Sequence, residues 1–254
     1  MILASLLAFA GADAALAPSG KWTVDYGADQ CVASRQFGAE PATYLAFQPF
    51  ASMSATGMQM LVLAPNVDGN GNAVGKATIS LLPSGTSTLL NYTSWVSQPN
   101  GPRHYKMFVG ADDLAKIAQS TGLTIDTGRR SVTLATNKLQ LALDAAVKCN
   151  DDLVRSWGVD PTAKATPVGN PGEWFTDDDY PPIALKRHVQ GHVKIALTVD
   201  TDGKIKGCRI LATSGDPDLD RGTCDVAKTH ARYIRKSGGD RFDILAVEWA
   251  FANR

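Results

Sequence analysis

The sequence has few of the features that would assign it enzymatic or nucleic-acid-binding chemistry. Its 25 Lys and Arg residues are balanced by 25 Asp and Glu residues, so no net charge attracts nucleic acid or an anionic membrane. The four cysteines form no C-x-x-C pair, and no histidine stands at zinc-ligand spacing from them. The G-x-S-x-G, H-E-x-x-H, P-loop and G-x-G-x-x-G motifs are all absent. We therefore predict no enzyme, no cofactor and no metal site.

Long apolar runs are also absent beyond the first residues. The N-terminal stretch MILASLLAFAGADAALAPSG is apolar and rich in small residues, and both Ala12-Asp13-Ala14 and Ala15-Leu16-Ala17 fit a signal-peptide cleavage site. A membrane-spanning helix needs about 20 apolar residues, whereas this run ends at Asp13. We predict a signal peptide over residues 1–17 and a soluble periplasmic mature chain without a membrane span. A buried N-terminal helix is the alternative.

The charge distribution predicts two domains. Residues 176–254 carry 13 Lys or Arg and 12 Asp or Glu residues, half of all the charges of the chain. The first 175 residues share the other half, so a densely charged module follows a sparsely charged one. We expect an N-terminal domain over 20–158, a linker over 159–175 that contains three prolines, and a C-terminal domain over 176–254.

The patterns predict an α+β protein. In the N-terminal domain, short alternating segments such as MQMLVLAP and KATISLL indicate strands, and ADDLAKIAQSTG and LQLALDAAVKCNDDLVRSWG indicate two helices. In the C-terminal domain, a short helix precedes the strand HVKIALTVD, and Asp202-Gly203 provides a tight turn. A return strand, a longer helix and the final strand FDILAVEWAF follow. This order predicts a three-stranded antiparallel sheet with two helices, preceded by a β-rich domain with two helices.

The even number of cysteines predicts two disulfides in an oxidising compartment. Four cysteines allow three connectivities. If each domain contains its own bond, the pairs are Cys31–Cys149 and Cys208–Cys224.

The last module resembles the C-terminal domain of TonB-family proteins. The features that carry the resemblance have family-like order and spacing over about 75 residues. They are Tyr180-Pro181, Ala184, Gly191, the VDTDGKI hairpin, Ser214-Gly215 and Leu219-Asp220. Cys208 and Cys224 match positions where some periplasmic members carry a cysteine pair. The segment YIRKSGG lacks the Pro-Ala that often stands there in the family, so we expect a differently shaped loop.

The resemblance implies an envelope protein whose C-terminal sheet pairs with an extended segment of a partner. In the family, the partner is a TonB-dependent outer-membrane receptor and the full-length protein transmits energy from an inner-membrane motor. A membrane-spanning N-terminal helix and a proline-rich spacer are missing here, so we expect a binding or adaptor protein instead of an energy transducer. The predicted partner-binding edge is the last strand: Asp243, Ile244, Leu245, Ala246, Val247, Glu248, Trp249, Ala250 and Phe251.

The sequence of the N-terminal domain carries less information about function. Its segment KWTVDYGADQCVASR is similar to the opening of small exported β-rich proteins of the IalB-like group, an analogy at the level of fold that implies no function. Two alternatives to the adaptor therefore stay open. One is an exported enzyme with its site in the N-terminal domain, and the other is a structural envelope protein that forms a homodimer through the same edge.

Overall fold

The computed structural model describes residues 15–28, 30–50, 57–67 and 69–251. Most of the predicted signal peptide therefore lies outside the described residues. The described chain forms two compact units. The first comprises residues 15–24, 33–47 and 58–144, and the second comprises 25–32, 48–57 and 145–251, each without the undescribed positions that fall inside it.

The secondary structure consists of twelve strands, four α-helices and two 3₁₀ turns among the described residues. The strands are β1 Thr23–Tyr26, β2 Cys31–Phe37, β3 Thr43–Pro49, β4 Gly57–Ala64, β5 Ala73–Leu82, β6 Ser87–Val96, β7 Arg103–Gly110, β8 Gly122–Asp126, β9 Ser131–Leu134, β10 Gly191–Val199, β11 Ile205–Ala212 and β12 Arg241–Trp249. The helices are α1 Ala111–Gln119, α2 Leu139–Ser156, α3 Pro182–Lys186 and α4 Pro217–His230, and the 3₁₀ turns are Pro171–Trp174 and Asp177–Asp179.

The larger sheet has nine strands in the order β1-β2-β3-β4-β7-β6-β5-β8-β9. Several of its strands alternate: on β4, for example, Met58, Met60 and Val62 are buried while the residues between them are only partly covered. This period of two places one row of side chains from each strand in a common core. The first half of α2 contributes Leu139 and Leu143 to the same core.

The smaller sheet has three antiparallel strands in the order β11-β10-β12. β10 and β11 form the predicted hairpin, whose turn is closed by the Asp200 carboxylate, which accepts hydrogen bonds from the backbone N–H groups of Asp202 and Lys204. Gly203 is required in this turn, because its φ is +79° and a Cβ there would lie 2.2 Å from the Tyr233 carbonyl oxygen. The predicted fold class, α+β with this sheet and its helices after a β-rich sheet, is confirmed.

Both faces of the smaller sheet are covered. On one face, α3 and α4 enclose a core that includes Ile195, Leu197, Leu219 and Ala227. On the other face, Ala196 and Ile244 pack with residues from the end of α2 and just after it: Val154, Trp157 and Val159. The last turns of α2 are therefore part of the second unit.

The two predicted cysteine pairs are confirmed. Cys31 and Cys149 are bonded with a Cα–Cα distance of 6.0 Å, and Cys208 and Cys224 with a distance of 5.8 Å. The second bond joins β11 to α4. Oxidised cysteines are typical of exported proteins.

The stretch predicted as a linker, 159–175, makes regular contacts within the second unit. Ala165 donates its N–H to the Phe242 carbonyl, and Phe242 donates its own N–H to the Ala163 carbonyl, both at 2.8 Å. Further along, the side chain of Trp174 is buried in the same core as α4. The predicted domain boundaries stay a prediction, but much of this stretch is held by backbone hydrogen bonds.

The helices of the part of the chain that the structure describes are short or carry many polar residues. No helix there combines the length and the apolar surface needed to cross a bilayer.

Candidate partner-binding edge

The residues that carry the family resemblance mostly build the scaffold beneath the last strand. The Tyr180 ring lies 5.2 Å from Trp249, and its hydroxyl donates a hydrogen bond to the Val189 carbonyl. Pro181 lies so close to α4 that a Cβ on Gly222 would stand 2.4 Å from its Cγ. A larger residue at 222 would therefore separate α4 from the start of α3.

The start of α4 is fixed by two carboxylates. Asp216 caps the helix by accepting the N–H groups of Asp218 and Leu219, and it lies 2.7 Å from Arg187. Burial alone would raise the pKa of Asp216, but these N–H donors and Arg187 lower it below its ordinary value. Asp220 accepts from both the backbone N–H and the hydroxyl of Ser214. The Ser-Gly and Leu-Asp motifs therefore position α4 on the sheet.

β12 is an edge strand, and its side chains alternate between the two faces of the sheet. Leu245, Val247 and Trp249 pack into the core beneath α3 and α4. The Trp249 indole N–H donates to the Thr223 hydroxyl at 2.8 Å, which fixes the end of the strand. On the opposite face the side chain of Ile244 is buried, while those of Ala246 and Glu248 are exposed.

The backbone N–H and C=O groups of β12 also alternate in direction from one residue to the next. Phe242 uses its N–H and C=O outside the pairing with β10, toward Ala163 and Ala165. In an antiparallel pair the hydrogen-bonding groups of alternate residues point to opposite sides of the strand. The groups of Ala246 and Glu248 therefore point away from β10, toward the outer side of the edge.

A groove lies beside this outward-pointing stretch. It has a volume of about 220 Å³ and is lined by Leu245, Ala246, Val247 and Glu248 from β12, and by Pro171, Gly172 and Phe175. Phe175 also packs edge-to-face against Trp249 at 6.2 Å, so that wall of the groove is anchored in the core. The groove is mostly apolar and could hold one side chain of a segment paired with the strand.

The first residues of β12, up to Ile244, already make their outward hydrogen bonds within the chain. The Asp243 carboxylate is fully buried, and one of its oxygens accepts the outward-pointing N–H of Ile244 at 2.8 Å. Its other oxygen accepts the Tyr233 hydroxyl at 3.0 Å. Burial, the Asp243 charge and this hydrogen bond raise the pKa of Tyr233, so the phenol stays protonated and continues to donate. Residues 163–165 bind Phe242, and Asp243 binds the N–H of Ile244, so the accessible edge of β12 begins at Ala246.

The nine predicted edge residues are thus not equivalent. β12 ends at Trp249, and Phe251 instead stacks on Tyr180 at 5.2 Å, with its N–H bound to the side chain of Gln190. The sequence did not predict the contribution of residues 163–165 or the groove wall. The aromatic pair Trp174-Phe175, inside a stretch otherwise typical of a linker, is the signal that indicates packing there.

Two histidines of the second unit contact other protein groups. His192 is exposed and lies 3.8 Å from Glu248, while His230 contacts the Trp174 carbonyl at 3.1 Å. Among the residues that the structure describes, no three His, Cys, Asp or Glu side chains converge as metal ligands.

The comparison with protein families identifies the C-terminal module. Residues 177–252 match the family described as Gram-negative bacterial TonB protein C-terminal. The predicted resemblance is confirmed. The match covers less than a third of the chain, and we refer to residues 177–252 as the TonB-like module. Neither the curated proteins nor the solved structures contain a significant match to this chain.

TonB C-terminal domains are non-enzymatic protein-interaction domains of the periplasm, and they bind envelope proteins such as outer-membrane receptors. The match assigns the TonB C-terminal family to residues 177–252 alone. The residues before 177 have no family assignment.

Proposed function

We propose that this protein is a periplasmic binding or adaptor protein that adds an extended segment of an envelope partner to the β12 edge. The observation that supports it best is the outward-pointing backbone of Ala246 and Glu248 beside the apolar groove. Unpaired strand edges bind extended segments through main-chain hydrogen bonds, and adjacent pockets select alternate side chains. A TonB-dependent outer-membrane receptor is the partner that the family match favours.

Replacing Glu248 with proline tests the proposal. The N–H of Glu248 points away from β10, so Glu248→Pro removes a donor from the edge without removing a bond of the sheet. We expect at least about tenfold weaker binding of an extended partner peptide, since geometry and one hydrogen bond are both lost. The peptide comes from the partner recovered by pull-down from envelope extract, and affinity is measured by calorimetric titration.

Glu248→Ala is the matched control. Both substitutions remove the contact with His192, but alanine keeps the N–H. The alanine variant should bind nearly like the wild type, and circular dichroism should show both variants folded. Equal affinity of a folded proline variant and the wild type would exclude this edge as the binding site and turn attention to an activity of the first unit. Loss of a homodimer in the proline variant, with no recovered partner, would instead favour the structural envelope protein.

The second prediction concerns export and the first residue of the mature chain. The sequence allows a mature chain that begins near Ala15 or near Pro18, and the position of Leu16 favours the first. Leu16 donates its N–H to the Thr133 carbonyl at 2.8 Å, and its own carbonyl accepts from Ala135 at 3.1 Å. Cleavage before Pro18 would remove this pairing with β9. We expect the intact mass of the protein recovered from the periplasm, without detergent, to match a chain that starts at Ala15. A retained Met1 in the membrane fraction would contradict export.

A further inference from the structure

One of the five tryptophans of the chain stands apart from the cores. Trp22, Trp157, Trp174 and Trp249 each pack against one of the three buried clusters. Trp95, on β6, belongs to none of them. Its ring stacks on that of His104 across the β6–β7 pair, with centroids 5.0 Å apart and planes 11° from parallel. The His104 Nε2 atom is 3.1 Å from the Ser97 hydroxyl, which fixes the histidine ring.

Strand alternation places Trp95 on the face of the larger sheet opposite its core. The inward side of these three strands carries Ala77, Ile79, Leu90, Met107 and Val109, which are all buried. The side chains between them point outward, and the register places those of neighbouring strands beside one another. We define the outer face as Val74, Lys76, Leu89, Asn91, Thr93, Trp95, His104, Lys106 and Phe108.

Three apolar side chains of the outer face are more than half exposed. Val74 is 81% exposed, Leu89 58% and Phe108 53%. Single exposed apolar residues are common, but a contiguous group on neighbouring strands is typical of a binding surface. The register places Leu89 and Phe108 toward one end of the outer face and Val74 and Trp95 toward the other, with Asn91 and Thr93 between them.

The ionisable side chains of the outer face are all basic. Lys76, Lys106 and the imidazole of His104 are its titratable groups, and no Asp or Glu is among the residues that define it. Neither lysine has an ion-pair partner among the residues that the structure describes. Two unpaired cations between aromatic and aliphatic side chains complement a ligand that has both rings and negative charges.

A groove continues the same sheet face at the start of β7. It has a volume of about 400 Å³ and is lined by residues that include Tyr44, Leu63 and Pro102, which stands two residues before His104. The Tyr44 side chain is 40% exposed. The carboxylate of the lining, Glu40, already accepts hydrogen bonds from the Gln36 amide and the Ala42 N–H. The groove is large enough for one ring of a bound chain.

We propose that the outer face binds an acidic glycan chain. Sugar rings would pack against Trp95 and Phe108 and enter the groove beside Tyr44, while the acid groups of the glycan pair with Lys76 and Lys106. A neutral glycan would leave the two lysines unused. Single-stranded nucleic acid offers similar chemistry, but a chain of zero net charge whose cysteines are paired in disulfides favours a ligand of the envelope.

Titration of the full chain with oligogalacturonate tests this proposal, with dextran oligomers of equal length as the neutral comparison. We expect calorimetric binding of oligogalacturonate that weakens as salt is raised, and at least about tenfold weaker binding of dextran. Polyglutamate, which is acidic but has no rings, should also bind at least about tenfold more weakly.

Three variants locate the site. Trp95→Ala and the pair Lys76→Gln with Lys106→Gln should each weaken oligogalacturonate binding by about tenfold, the first through lost stacking and the second through lost charge. Lys116→Gln, a change of an exposed lysine on α1, should leave it unchanged, and thermal melts check that all variants are folded. Absence of oligogalacturonate binding, equal binding of dextran, insensitivity to both outer-face variants, or preferential binding of an oligothymidylate would each overturn the proposal.

Discussion

Val154→Asp is expected to lower the free energy of unfolding of the second unit by more than about 3 kcal/mol, because it buries a charge without a partner. Val154 is 1% exposed and packs in the cluster that contains Ala196 and Ile244 from the smaller sheet. The aspartate would therefore separate the last turns of α2 from this face of the sheet. Urea unfolding followed by tryptophan fluorescence measures the loss, since Trp157 packs against the same cluster.

Val147→Asp is the matched control on the same helix. Its side chain is 45% exposed, so the same change of residue should cost less than about 1 kcal/mol. Equal stability of the two variants would mean that α2 contributes little to covering the sheet. A large loss in Val154→Asp alone would show that the TonB-like module depends on a helix outside the matched residues.

Asp243→Ala is expected to destabilise the second unit by about 3 kcal/mol, because two buried donors lose their acceptor. The Tyr233 hydroxyl and the Ile244 N–H both bind the Asp243 carboxylate, and neither has another acceptor in the described contacts. The Tyr233 side chain is 5% exposed, so water cannot easily replace the lost bond. The midpoint and slope of urea unfolding give the change in free energy.

Asp243→Asn keeps the shape and one acceptor oxygen, so its stability should fall between those of the wild type and the alanine variant. Tyr233→Phe, combined with Asp243→Ala in a double-mutant cycle, isolates the contribution of the phenol. If Asp243→Ala is as stable as the wild type, the pair does not stabilise the strand.

Local patterns were sufficient to predict much of the C-terminal module. The alternation of Val193, Ile195, Leu197 and Val199, followed by Asp202-Gly203, specifies a strand and a turn within a few residues of each other. The same holds for α1 and α2, whose apolar residues recur at helical spacing. The cysteine pairs depended on one further assumption, that each bond stays within a domain.

The contacts that define the accessible edge are distant in sequence, and no local pattern specifies them. Ala163 and Ala165 stand almost eighty residues before Phe242, yet they occupy the first part of the edge. Ile244 alternates like a solvent-facing residue of a sheet with one covered face, but it is buried because α2 covers the second face. Asp243 precedes Ile244 in the chain, but its role as an acceptor depends on Tyr233 and on which way the strand backbone points.

The bond between Cys208 and Cys224 has a mechanical consequence. A load applied along β12 is shared by the hydrogen bonds that pair it with β10 from Arg241 to Trp249, which must shear together instead of opening one after another. Behind β10, β11 is joined covalently to α4, so the far side of the sheet cannot peel away from its helix however many hydrogen bonds break. Traction along β12 should therefore shear β12 from β10 while β11 and α4 stay joined.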